Sequence, residues 1–170
     1  FPRTDDPDLS ILVNRAVSGR YNVGSSLKPF VAYAALNTGQ LPGGSAYRFD
    51  DRGTYKLESI PEDRCQQGVK CVFRNSVCRA TGAPCRYGKV DVTAALAVSS
   101  DTFFYKLGDR TYRVPGWPLQ DWSRRFGLGR PTGLDLSEGE SAGLVPDLAY
   151  KRQTCDRKVD PINCSWRPGD

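Results

Sequence analysis

The residues with the clearest potential for chemistry are Ser25-Ser26-Leu27-Lys28. Three positions apart on a helix, a serine and a lysine share one face and come within reach of each other. The 170-residue chain contains no histidine, which removes Ser-His-Asp and Cys-His arrangements. A serine nucleophile here needs another base, and Lys28 is at hand. In a dry cleft near another cation an ammonium gives up its proton more readily, and the neutral amine can then take the Ser25 proton. A helix start adds its positive end beside the developing negative charge. The tetrad alone does not discriminate, because Ser-x-x-Lys arises by chance and a lysine one turn into a helix commonly faces solvent.

A second candidate is Ser99-Ser100-Asp101, set between two apolar helical patterns. There the Ser99 hydroxyl can project toward a cleft. The plain alternative is that Ser99 ends one helix while Asp101 caps the next, and Asp101 is read as suited to both jobs. A carboxylate beside Lys28 favours the ammonium and opposes its use as a base. Asp101 is therefore expected to point elsewhere, or to be protonated or paired.

The elements that must position these residues follow from local pattern. Residues 1–24 read as an extended polar stretch. Pro29 is tolerated only in the first turn of a helix, so the active-serine helix spans about 25–38 with Ser25 at its start. Phe30, Val31, Ala34 and Ala35 form its apolar face, and Asn37-Thr38-Gly39 supplies its stop. Residues 40–90 read as loop-rich, with one strand-like piece at Tyr55-Lys56-Leu57 and a Cys-rich insertion at about 58–88. Asp91 caps a helix from Val92 to Val98, in a Ser-x-Asp region of about 91–108. Another helix runs from Thr102 to Leu107, with Asp101 as cap and Gly108 as its end. A fourth spans about Leu119 to Phe126, with Leu119, Trp122 and Phe126 inward and Gly127 closing it. It opens a C-terminal region of helix and loops over 118–170. From Pro146 onward the chain reads as irregular, anchored by Trp166.

Bulk composition narrows the class. With 39% hydrophobic and 25% charged residues the chain is an ordinary globular one, long enough for one domain. The net charge of +5 is scattered, with no aromatic-studded basic stripe, so a nucleic-acid partner is not expected. The longest apolar run, Phe30 to Leu36, has core-helix length, and no basic-then-apolar leader opens the chain. The absence of methionine reads as a processed chain or an excerpt. Six cysteines without a Cys-x-x-Cys knuckle or a histidine fit disulfides in an oxidising compartment better than zinc. Cys155 with Cys164 is the natural local bridge; Cys65, Cys71, Cys78 and Cys85 leave three pairings open.

The flanks of the two candidate sites carry a resemblance. Asn14 to Tyr21 leading into Gly24-Ser25-Ser26-Leu27-Lys28-Pro29-Phe30, and Ala94 to Tyr105 around Ser99-Ser100-Asp101, resemble the active-serine and Ser-x-Asp regions of class B penicillin-binding proteins. Phe126-Gly127-Leu128-Gly129, Thr132-Gly133-Leu134-Asp135-Leu136, Gly143-Leu144-Val145-Pro146 and the closing Trp166-Arg167-Pro168-Gly169-Asp170 are similar, in order and spacing, to elongation-type members of that family. The resemblance implies a mixed α/β fold of the penicillin-binding and serine β-lactamase-like type, of which this chain supplies mainly the helical subdomain. It implies a peptidoglycan D,D-transpeptidase in which Ser25 attacks the penultimate D-Ala carbonyl of a stem peptide. Lys28 takes the serine proton, Ser99 relays a proton to the leaving amine, and the Ser25 N–H forms half the oxyanion hole. β-Lactams are expected on the same serine, and no metal or organic cofactor is implied.

A membrane-embedded glycosyltransferase of the elongation complex is the implied partner, and the outer face of the cytoplasmic membrane is the implied location. The family's Lys-Ser/Thr-Gly strand and membrane anchor have no counterpart here, which the resemblance explains as an excerpt. A serine β-lactamase or β-lactam sensor, and a catalytically inactive disulfide-stapled binding module, are the alternatives.

Overall fold

The computed structural model describes residues 16–19, 21–67, 69–134 and 139–155. A 3-10 turn, Gly24–Leu27, runs directly into helix α1, Lys28–Asn37. Pro29 sits in the first turn of α1, where its missing N–H leaves no hydrogen bond unmade. The small side chains of Ala32, Ala34 and Ala35 are buried and let neighbouring helices approach closely. Helix α1 packs on α4 (Asp101–Tyr112), on α5 (Pro118–Arg125) and on α3 (Val92–Ala97). Val31, Ala35, Leu41, Val90, Ala95, Phe103, Phe104 and Leu107 form the shared core.

The 40–90 stretch holds more regular structure than its sequence predicts. Strands β1 (Phe49–Asp51) and β4 (Gly88–Val90) pair antiparallel, with Phe49 opposite Val90. Strands β2 (Thr54–Lys56) and β3 (Val72–Arg74) form a second antiparallel pair, with Tyr55 opposite Phe73. Helix α2 (Glu62–Gln66) lies between β2 and β3 in the chain. Three-residue strands are too short to show alternation, and each pair joins segments far apart in sequence. Disulfides Cys65–Cys71 and Cys78–Cys85 staple the segment and select one of the three open pairings. Cys164 and Trp166, and with them the expected Cys155–Cys164 bridge, lie outside the described residues, as do Asp135 and Leu136.

Elsewhere the structure corrects the helix ends. Asp91 caps α3 as predicted, accepting from the Ala94 N–H at 2.7 Å. The cap of α4, however, is Ser100, and Asp101 is the first residue inside the helix. Nor does Gly108 end α4. A glycine costs a helix interior only about 1 kcal/mol, and burial of Leu107, Asp109 and Thr111 on either side outweighs that. In α5 the fully buried residues are Pro118, Gln120 and Ser123, while Leu119 packs against the core and Trp122 against the Tyr33 ring, both inward as expected. Phe126 stays 49% exposed while meeting Phe30 and Tyr33 edge to face. The expected irregular tail holds α6, Leu148–Thr154, capped by Asp147. Among the described residues no helix is long and apolar enough to cross a membrane.

Candidate active site

Ser25 sits in the 3-10 turn ahead of α1, solvent-exposed. Three residues on, Lys28 begins α1 proper and is buried rather than facing solvent. Its side chain crosses to the corner between α3 and α4. There the ammonium donates to the Ser99 carbonyl at 2.7 Å, to Ser99 Oγ at 2.8 Å and to Asp101 Oδ1 at 2.5 Å. These three bonds use all three of its hydrogens. Ser99 Oγ in turn lies 3.1 Å from Ser25 Oγ. The four residues singled out in the sequence are thus brought together, but in an unexpected order. No hydrogen bond joins Lys28 to Ser25 among the described residues; the Ser99 hydroxyl stands between them.

The backbone explains how one residue offers Lys28 two oxygens. Helix α3 ends with the Ser100 N–H returning to the Ala95 carbonyl at 2.9 Å, which places Ser99 at φ +55°. This left-handed conformation suits glycine and costs another residue about 1–3 kcal/mol. It turns both the carbonyl and the hydroxyl of Ser99 toward the lysine.

Of the arrangements expected for Asp101, the structure realises the paired one. Its carboxylate is turned to Lys28 and not away from it, and its second oxygen accepts from the Ser76 N–H at 3.2 Å and from Ser76 Oγ at 3.4 Å. Lys28 thus supplies the counter-charge to this carboxylate, and Ser76 adds neutral donors to its other oxygen. Behind the corner lies a buried set of polar groups. Ser100 Oγ accepts from the Phe103 N–H at 3.2 Å and donates to Asp51 Oδ2 at 2.5 Å. Asp51 also accepts from the Gly53 N–H and from Asn75 Nδ2.

Ser25, Lys28 and Asp101 open onto a cavity of about 380 Å³ that Phe73, Phe104 and Tyr105 also line. The Lys28 ammonium lies 5.7 Å from the Phe104 ring centroid. Burial, and secondarily the Asp101 charge, push the Tyr105 phenol above its ordinary pKa, so it stays neutral. Among the described residues no group of three or more His, Cys, Asp or Glu converges as a metal site would require. The arrangement offers an exposed hydroxyl, a hydroxyl bridge and a buried amine, which together suit acyl transfer to serine.

Asp51, Asn75 and Ser76 carry no local sign of their part. An aspartate near a Gly-containing turn and an Asn-Ser pair beside a cysteine read as surface loop. Their contacts with one another and with the Ser99–Asp101 corner, 24 or more residues apart along the chain, have no sequence pattern.

A model of the family described as the penicillin binding protein transpeptidase domain matches residues 2–157. The peptidoglycan D,D-transpeptidase MrdA of Escherichia coli is 32% identical over 149 residues, covering 88% of this chain and 20% of that protein. MrdA of Acinetobacter baumannii is 34% identical over 143 residues, covering 84% of this chain and 18% of its own length. The chain thus spans about a fifth of the curated relatives it matches. Among solved structures, Pseudomonas aeruginosa PBP2 in complex with WCK 5153 superposes with a TM-score of 0.67 at 30% identity. The match covers 93% of this chain and 30% of that one.

Proposed function

The chain belongs to the penicillin binding protein transpeptidase domain family, and from that premise we propose that it bears the acyl-forming residues of a peptidoglycan D,D-transpeptidase. The observation that carries this reading is the unbroken line from Ser25 Oγ through Ser99 Oγ to Lys28 Nζ, at 3.1 and 2.8 Å. Ser25 Oγ attacks the carbonyl of the penultimate D-Ala of a stem peptide. Its proton passes to Ser99 Oγ as the Ser99 proton moves to a neutral Lys28 amine. Lys28 then returns a proton to Ser99 Oγ as the Ser99 proton passes to the leaving D-Ala nitrogen, so Ser25 ends as an ester and terminal D-Ala departs. An amine from a neighbouring stem resolves the ester, and a β-lactam acylates Ser25 by the same steps. The Ser25 N–H supplies half of the oxyanion hole.

The extracytoplasmic side of the membrane is the proposed location, which the two disulfides support. A membrane-embedded glycosyltransferase is the proposed partner of the whole protein. Fluorescent penicillin tests the reading. The full-length protein is expected to become covalently labelled, and Ser25→Ala to remain dark. An unlabelled wild-type protein overturns the reading, and rapid loss of the label assigns the site to a β-lactamase instead.

A further inference from the structure

We propose that Asn75, in the disulfide-stapled segment, is a positioning residue for the Ser99–Asp101 corner and thereby for acylation of Ser25. The proposal rests on the transpeptidase reading above. Asn75 is buried at 5% exposure, and its side-chain amide is fully committed. Nδ2 donates to both oxygens of Asp51, at 2.8 and 2.9 Å, and to the Cys85 carbonyl at 2.8 Å. Oδ1 accepts from the Thr102 N–H at 2.8 Å.

That last bond has a specific meaning. The first N–H groups of a helix have no partner inside it. In α4 the Phe103 N–H is taken by Ser100, the helix's own cap three residues earlier, whereas the Thr102 N–H is taken by Asn75 from another part of the chain. Ser100 is itself held through its hydroxyl by Asp51, which Asn75 also binds. One amide therefore grips the start of α4 twice, directly at Thr102 and through Asp51 at Ser100. Ser99 lies immediately before the gripped residues, in a left-handed conformation that needs external support. Asp101 lies between Ser100 and Thr102, and Ser76, next to Asn75, donates to it.

Asn75 is in turn anchored. Its N–H donates to the Gly53 carbonyl at 3.0 Å, and the Cys85 N–H donates to the Ser76 carbonyl at 3.0 Å beside the Cys78–Cys85 bridge. A carboxylate in place of the amide cannot serve, because it would oppose the Asp51 carboxylate in a dry site.

The test uses the full-length protein and fluorescent penicillin, with the noncovalent dissociation constant and the acylation rate constant measured separately. Asn75→Ala is expected to lower the acylation rate constant at least tenfold while the dissociation constant stays within twofold. Asn75→Asp, equal in size but without the donors, is expected to lower it further. A role in stability alone would reduce the labelled fraction with the folded fraction and leave the rate constant of folded molecules untouched. Wild-type rate constants in folded variants overturn the proposal, as does loss of the fold in both. Absence of labelling in the wild type overturns the transpeptidase reading along with it; normal wild-type labelling with unaffected variants overturns this proposal alone.

Discussion

The active-serine helix and the stapled segment between β1 and β4 meet at the same corner by different means. Helix α1 contributes reactive side chains, Ser25 from the turn before it and Lys28 from its first position. The stapled segment contributes an amide and a backbone N–H, and the end of β1 the Asp51 carboxylate, none of which reacts. The helix is held by apolar packing of alanines and Val31 on α3 and α4, whereas the segment is held by two disulfides and hydrogen bonds. A site of this kind divides its labour: packing delivers the groups that change, and polar networks fix the groups that do not.

The sharpest way to break the comparison is at Lys28. Lys28→Ala is expected to lower the acylation rate by about 10³-fold or more, within the range of a lost general base, while far-ultraviolet circular dichroism stays native. Lys28→Arg is expected to give no rescue, since a guanidinium does not deprotonate. Next, Ser99→Ala is expected to cost about 10²-fold, because it cuts the line between Ser25 and Lys28. A near-wild-type rate in that variant would show that Lys28 reaches Ser25 directly and that the bridging hydroxyl is idle.

Two stability measurements set the regions against each other. Leu107→Ala, fully buried in the helical core, is expected to lose about 3 kcal/mol in denaturant unfolding, with the acylation rate of folded molecules unchanged. The double change Cys78→Ser with Cys85→Ser opens a short loop and is expected to lose roughly 2 kcal/mol, this time with a slower acylation rate. Equal rates in both variants would erase the distinction drawn between the regions.

The smallest effect is local and acid-dependent. The Thr132 and Gly133 N–H groups, at 2.7 and 3.1 Å, hold the Glu140 carboxyl below its ordinary range. The Tyr150 N–H, and after it Arg124, do the same for Asp147 at the start of α6. A carboxyl depressed in the folded state contributes stability above its unfolded pKa and loses it as pH falls through the folded value. Amide exchange at Thr132 and Tyr150, corrected for its intrinsic pH dependence, is therefore expected to quicken below about pH 4. Glu140→Gln should show the quickened exchange at Thr132 already at neutral pH.

What was legible in the sequence follows the same division. Pro29 located the start of α1, the missing histidine turned attention to Lys28, and Asp91 announced α3, because each acts on neighbours a few residues away. Gly108 misled, since its local cost is small beside the burial flanking it. Asp101 reads as a cap by its type, yet Ser100 caps and Asp101 faces Lys28. The order Ser25–Ser99–Lys28 was hidden as well. It depends on the left-handed backbone at Ser99, which no residue type announces when the position is not glycine. Strands of three residues and the Asp51–Asn75 contact were invisible for a plainer reason: each exists only through partners elsewhere in the chain.

The bond from Lys28 to Ser99 spans 71 residues of chain, and that to Asp101 spans 73. Contacts so far apart form late, because the entropy of closing the loop is met before the contact returns anything. An unfolded or half-folded chain therefore holds a common serine and a solvated lysine, with no amine poised to activate the serine. The nucleophile is chemically silent until the corner closes, and local opening of that corner silences it again without any covalent bond being broken.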